Sequence, residues 1–323
     1  MSAAYYICCL IFSSILHGEE LSIFEIELSG LITSPKQEIS GMDWFENRLF
    51  LLPENQNGFL FSLEKSEIMI AINNQHSANQ KPLTPKQTRL IAPNYKDLIP
   101  GFEGFEGISF IKNDVYITIE AENNGIMESY IIWGNIDPRT YELTISRENL
   151  KGIETPIQVK NMTYESIVSW NQKIYAIFEA NGANLQEHAT QKTLSLKNKA
   201  LSSINFPSIE YRITDATKVD EKGKFWCINY FWPGEKDRLI PGKDSILDGV
   251  EEGDTHKKYE HVERLVEYKI SGDKIVRTST PPIQLSLEEK SRNWEGLARV
   301  DGKGFLMIVD EHPRTILAFI PKP

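Results

Sequence analysis

One short phrase recurs five times along the chain and restricts it to a repeat architecture. An acidic or hydroxyl residue leads, and small and apolar residues follow: Ser40-Gly41-Met42, Glu106-Gly107-Ile108, Glu165-Ser166-Ile167, Thr214-Asp215-Ala216 and Glu295-Gly296-Leu297. Each copy runs through a tight turn into a second strand, at 49–54, 115–120, 174–179, 224–229 and 305–310. Lead residue and strand end lie fourteen positions apart in the first three copies and fifteen in the last two. The longer copies carry Asp-x-Lys-Gly turns at 220–223 and 301–304. Strand-and-turn units repeating at this period, with little helical periodicity between them, indicate a propeller or solenoid.

Each inner pair is followed by an outer pair of apolar, β-branched and aromatic runs: 58–63 with 67–72, 129–135 with 141–146, 191–196 with 208–213, and 264–270 with 274–279. The fifth copy has only 315–320 before the chain ends. Segment 22–28, with Ile23, Phe24, Ile26 and Leu28 set against Glu25 and Glu27, supplies the missing strand. A ring must close or leave edges open to other chains. The expectation is all-β: a five-bladed β-propeller closed by the N-terminal strand, one domain over 19–323. A sixth blade would need a degenerate copy within 235–263, which otherwise reads as a long loop on one face. Segment 74–94, with Pro82, Pro85 and Pro93, reads as an extended connector.

The net charge of −10 and the lack of a Lys/Arg stripe argue against a nucleic-acid partner. Nothing after residue 20 is apolar for long enough to span a bilayer. Residues 3–16 are nearly continuous apolar sequence, and 1–18 is read as an export signal, although no Lys or Arg precedes Lys36. The expected location is therefore secreted or periplasmic, and the expected state a monomer. With Cys8 and Cys9 removed, Cys227 would be the only thiol, placed as a small buried hydrophobe within a strand.

In a propeller the innermost strands run beside a central channel. Ser40, Glu106, Glu165, Thr214 and Glu295 would then face one another at one depth, with Asp215 as an alternative to Thr214 if a bulge brings it into register. Carboxylates about 5 Å apart repel by roughly 1 kcal/mol per pair in water and about 3 kcal/mol at an effective dielectric of 20. A cation would relieve this, and an all-oxygen set without His or Cys suits Ca²⁺. The competing expectation is that the acids tie blades together by bonding to backbone N–H groups. A second tier, Glu54, Glu120, Glu179, Asn229 and Asp310, returns to the same face, beside loops carrying Asn, Gly, His312 and Arg314. Such a mouth suits a glycan or a phosphoester. In a hydrolase Glu120 or Glu179 would accept the proton of water and Arg314 would steady a departing phosphate. The other expectation is a non-catalytic module in which the ion stiffens the ring. Nucleophile-elbow, zincin, P-loop and C-x-x-C motifs are all missing from the sequence.

Two families share parts of this pattern. Glu106-Gly107-Ile108-Ser109-Phe110 with Val115-Tyr116-Ile117, and Asn293-Trp294-Glu295-Gly296-Leu297 leading to Val309-Asp310-Glu311, resemble the phytase-like propellers known for "esterase-like activity of phytase". That resemblance implies a secreted, calcium-dependent phosphoester hydrolase. The order Ser40, Glu106, Glu165, Thr214, Glu295 is similar to the axial ion ligands of the calcium-activated nucleotidase (apyrase) family, a five-bladed propeller. Pro53-Glu54-Asn55-Gln56-Asn57-Gly58 departs from that family's Asp-Asp-Arg-Thr-Gly run, so the resemblance covers the ion site and not the nucleotide-binding part.

Overall fold

The computed structural model describes residues 20–75, 81–300, 302–310, 312 and 314–322. The 1–18 segment, with Cys8 and Cys9, lies outside them. The chain is all-β, with a few short helices in its connections. After β1 (Phe24–Ile26), β2 (Ile39–Phe45), β3 (Arg48–Pro53), β4 (Phe59–Glu64) and β5 (Lys86–Ile91) form an antiparallel meander. The second contains β6 (Phe102–Ile111), β7 (Asp114–Asn123), β8 (Ile126–Ile136) and β9 (Leu143–Ile153). The third contains β10 (Ser166–Trp170), β11 (Lys173–Ile177), β12 (Thr190–Ser195) and β13 (Leu201–Asn205). The fourth contains β14 (Arg212–Ala216), β15 (Lys224–Phe231), β16 (Val262–Ser271) and β17 (Lys274–Arg277), with β18 (Ile283–Gln284) added beside β16. The last is β19 (Trp294–Val300), β20 (Gly304–Val309) and β21 (Leu317–Pro321), and β1 pairs antiparallel with β21 to complete it.

The first strands of these meanders touch in a closed cycle: β2 meets β6, β6 meets β10, β10 meets β14, β14 meets β19, and β19 returns to β2. The small residue of the repeated phrase explains why they approach so closely. A Cβ on Gly41 would stand 2.9 Å from the Glu106 carbonyl, and one on Gly107 would stand 2.4 Å from the Glu165 carbonyl. Each glycine therefore removes the atom that would hold neighbouring strands apart. Apolar side chains fill the wedges outside the cycle, one cluster between each adjacent pair of meanders. Cys227 belongs to the wedge between the third and fourth, fully buried and free.

Two outer elements differ from expectation. Segment 67–72 is not a strand but the body of helix α1 (Lys65–Asn73). Its N-terminus has a reciprocal capping box between Glu64 and Glu67, and Ile68, Ala71 and Ile72 form a buried stripe at helical spacing. The fourth strand of that meander is β5, inside the expected connector, where Thr88 and Leu90 alternate inward with exposed neighbours. In the third meander, β13 precedes the predicted 208–213 strand, and Arg212 and Ile213 already belong to β14.

Candidate active site

The register of the inner strands breaks where the phrase begins. β2 against β3 shifts between Ile39 and Gly41, β6 against β7 between Phe105 and Ile108, β14 against β15 between Ile213 and Ala216, and β19 against β20 between Trp294 and Gly296. Ser40, Glu106, the Thr214-Asp215 pair and Glu295 occupy these bulges, while Glu165 immediately precedes β10. A bulge re-aims a side chain that strict alternation would commit to a sheet face.

Glu106, Glu165 and Glu295 do converge, on one cavity of ≈1050 Å³. Glu54 and Asp310, just past β3 and β20, and Glu120 on β7 join them there, as do Glu103 on β6 and Glu235 and Glu289 from loops. Among the described residues the lining thus holds eight glutamates and Asp310 against two full cations, Arg212 and Lys290. Tyr230, Asn293, His261 and His312 also face it, and Trp232 stands in its wall with 51% of its surface exposed.

Arg212, the first residue of β14, is the cation that sequence reasoning missed. Its guanidinium is buried and pairs with Glu179 through Nε, with Glu235 through Nη1 at 3.5 Å, and with Glu165 and Glu295 through Nη2 at 3.5 Å each. Asn293 extends the network, accepting from Arg212 at 3.2 Å and donating to Glu295 at 2.6 Å and to Asp310 at 3.0 Å. Because one nitrogen touches both Glu165 Oε1 and Glu295 Oε1, those oxygens lie no more than twice 3.5 Å apart. Carboxylates on three sides push the Arg212 pKa upward against the opposing effect of burial, so it stays charged.

Other expected site residues are placed differently. Glu179 is 0% exposed, two residues past β11, and is the counter-ion of Arg212, so it does not face the cavity as a proton acceptor. Arg314 stands apart from the cavity, its side chain 62% exposed and paired with Glu25 of β1 at 2.6 Å. The guanidinium of the site is Arg212. Thr214 donates its hydroxyl to the Trp294 carbonyl, and Asp215 accepts from the Leu297 N–H at 2.7 Å. Asp43 on β2 does the same toward the second meander, accepting from the Phe110 N–H at 2.7 Å with Lys218 at 3.3 Å. These are ties between adjacent inner strands, and burial raises the pKa of Asp43 and Asp215. Ser40 is buried with its hydroxyl unpartnered. The expected ring of oxygen ligands therefore does not fit an axial calcium: two of its acids belong to Arg212, and Thr214 and Asp215 bond to backbone. Among the described residues no three Asp, Glu, His or Cys side chains are grouped to hold a metal ion.

Burial and mutual repulsion set the protonation of the rest. Glu165 is pushed up to about 7, chiefly by burial, with Arg212 pulling back and Glu235 and Asp310 adding to the rise. Glu54 also reaches about 7, through burial and then the charges of Glu38 and Asp310. Burial, reinforced by neighbouring carboxylates, holds Glu106, Glu120 and Glu295 well above the usual carboxylate range. One cavity thus offers carboxyl groups raised well above the usual range beside two, Glu54 and Glu165, that reach about 7, the kind of arrangement from which acid and base roles are built.

No protein-family model matches the chain, and no curated protein matches it. The phytase-like and nucleotidase resemblances therefore rest on sequence phrases alone. Among solved structures the chain is similar to a thermostable family-43 glycoside hydrolase, at 9% identity and TM-score 0.49, over 93% of this chain and 96% of that one. A putative glycoside hydrolase from Bacteroides ovatus ATCC 8483 has 10% identity and TM-score 0.48, over 94% and 93%. A glucose dehydrogenase has 10% identity and TM-score 0.46, over 94% and 100%. Likenesses this distant say nothing of substrate or chemistry. No helix among the described residues is long and apolar enough to cross a membrane.

Proposed function

We propose that the chain is a five-bladed β-propeller hydrolase that cleaves a glycosidic bond in the axial cavity by carboxyl proton transfer. The observation that carries this reading is the pair Glu165 and Glu295, held on one guanidinium nitrogen of Arg212 at 3.5 Å each and both raised by burial above the usual carboxylate range. Acetal cleavage is a hydrolysis that two carboxyl groups perform without a separate nucleophile triad, at separations of about 5 to 9.5 Å. The upper limit set by the shared Arg212 nitrogen, twice 3.5 Å between the two oxygens, is compatible with that window. Glu295, whose proton is held more tightly by burial and by its neighbouring carboxylates, would donate to the leaving oxygen. Glu165, poised near 7, would take the proton of an attacking water or receive the sugar carbon itself. The half-exposed Trp232 offers a flat apolar face against which a sugar ring can stack.

A phosphoester suits the cavity less well. It would bring further negative charge among nine carboxyl groups of described residues, with Arg212 already committed to three of them and to Glu179 behind. The test is a panel of p-nitrophenyl hexosides, pentosides and hexosaminides, run beside p-nitrophenyl phosphate and nucleoside diphosphates with and without calcium. The expected result is p-nitrophenol from at least one glycoside, with one limb of the pH–rate profile near 7, and no phosphate release. Calcium-dependent phosphate release, or glycosides left intact at every pH, would overturn the proposal.

A further inference from the structure

Three side-chain hydrogen bonds meet at Asn293, and chemistry fixes their directions. Arg212 Nη1 can only donate, so the atom that faces it at 3.2 Å is the amide oxygen. The amide nitrogen is thereby turned the other way, to Glu295 Oε1 at 2.6 Å and Asp310 Oδ2 at 3.0 Å, one N–H for each. A flipped amide would set N–H against N–H at Arg212 and oxygen against oxygen at both acids. The backbone is tied as well: the Asn293 N–H donates to the His312 carbonyl at 3.1 Å, and the Asn293 carbonyl accepts from the Asp310 N–H at 3.2 Å. Two fully buried asparagines are used differently. Asn229 gives its amide nitrogen to the carbonyls of Glu210 and Arg212, and Asn181 gives its own to the Phe178 carbonyl, so both fasten backbone. The amide nitrogen of Asn293 goes instead to two acids that line the cavity.

The consequence falls on Glu295. Its Oε1 receives the Asn293 amide and, at 3.5 Å, Arg212 Nη2. In a protonated carboxyl one oxygen carries the hydrogen and donates, while the bare one accepts. An Oε1 that accepts from two donors is the bare one, so the proton of Glu295 belongs on Oε2. We propose that Asn293 is a positioning residue: by holding Oε1 as an acceptor, its amide presents the proton of Glu295 from Oε2 to the leaving oxygen of the substrate. The assignment rests on the hydrolase reading of the cavity. In that step the acetal C–O bond breaks, its electron pair stays with the leaving oxygen, and the same oxygen takes the Oε2 proton. The anomeric carbon gains its new bond from water, whose proton passes to Glu165, or from Glu165 itself. A donor on a carboxylate also favours the ionised form, so Asn293 limits how tightly Glu295 keeps the proton it must release.

The test compares leaving groups within each protein. The sugar cleaved in the p-nitrophenyl panel is attached to phenol, which must be protonated as it departs, and to 2,4-dinitrophenol, which departs as the anion. Asn293→Ala should lower kcat/KM for the phenyl glycoside by about 10- to 100-fold and for the dinitrophenyl glycoside by no more than about threefold. Asn293→Asp keeps the shape and loses the donor, and should give the same split. A variant that folds poorly slows both substrates alike, so the ratio of the two rates isolates proton delivery. A second readout needs no substrate. In protein labelled with ¹³C at the glutamate carboxyls, with Glu295 assigned from Glu295→Gln, the Glu295 midpoint should rise by about one pH unit in Asn293→Ala, because the ionised form has lost a donor. Equal slowing of both leaving groups, or an unmoved Glu295 midpoint, overturns the role of Asn293 and leaves the hydrolase reading intact. No turnover of any glycoside removes the hydrolase reading, and a raised midpoint would then still leave Asn293 in control of the Glu295 proton.

Discussion

Arg212→Met is expected to cost about 3–5 kcal/mol of stability at pH 8, the usual penalty when one partner of a buried ion pair is removed and the other stays. For a chain of this length that lowers the melting temperature by roughly 10 °C. Methionine keeps the bulk, so the loss is electrostatic: Glu165, Glu179, Glu235 and Glu295 would lose their common cation, and Glu179 is fully buried. The pH dependence gives the cause away. A carboxyl whose folded pKa rises above its unfolded value of about 4.5 leaves stability intact below 4.5 and removes it as pH climbs through the folded pKa. The deficit of Arg212→Met should therefore shrink between pH 8 and pH 5. Wild type should itself lose stability over the same interval, because Glu54 and Glu165 sit near 7. Each such carboxyl opposes the fold by on the order of 3 kcal/mol once ionised. Arg212→Lys, with one charged point in place of a planar fork, should recover only part of the loss. Thermal melts of the three proteins across pH decide the matter; a methionine variant as stable as wild type at pH 8 would mean the guanidinium is dispensable.

Glu165→Gln should lower glycoside turnover by about 10²–10⁴, the range for removal of a positioned proton-transfer group. Its effect on stability should have the opposite sign at pH 8. Glu165 adds its charge to those raising Glu106, Glu120 and Glu295, and Arg212 would keep three carboxylates without it. Loss of activity with gain of stability marks a residue retained for chemistry. The limb of the pH–rate profile near 7 should vanish in this variant. A variant that is both slower and less stable would place Glu165 in the architecture instead.

The repeated phrase contained much of this in legible form. It marked the inner strand of each meander, and its lead acids Glu106, Glu165 and Glu295 meet in space. The second-tier residues Glu54, Glu120 and Asp310 face the same cavity, as does His312 from the loop beside them. The phrase did not reveal which leads are backbone ties, because a hydroxyl or acid in a bulge can turn either to the axis or to the next strand's N–H, as Thr214 and Asp215 do. Arg212 and Asn293 could have been found. Each lies two residues before a lead, Arg212 opening β14 and Asn293 just before β19, and the two bond to each other. Glu235 could not, because it reaches the cavity from a loop whose path no local pattern specifies. Glu179 and Arg314 were misplaced for a related reason: a charged residue goes to the nearest opposite charge, and those partners, Arg212 and Glu25, come from distant parts of the chain.

The most direct examination of the cavity is a pH titration of glutamate side-chain carboxyls by ¹³C NMR, in protein labelled at those carbons, with Glu165→Gln and Glu54→Gln to assign the resonances. Two carboxyls titrating near 7, each lost in its own variant, with further resonances shifted above the ordinary carboxylate range, is the expected spectrum. Every glutamate titrating below about 5, as in a solvated chain, would contradict a buried, arginine-centred acid and base.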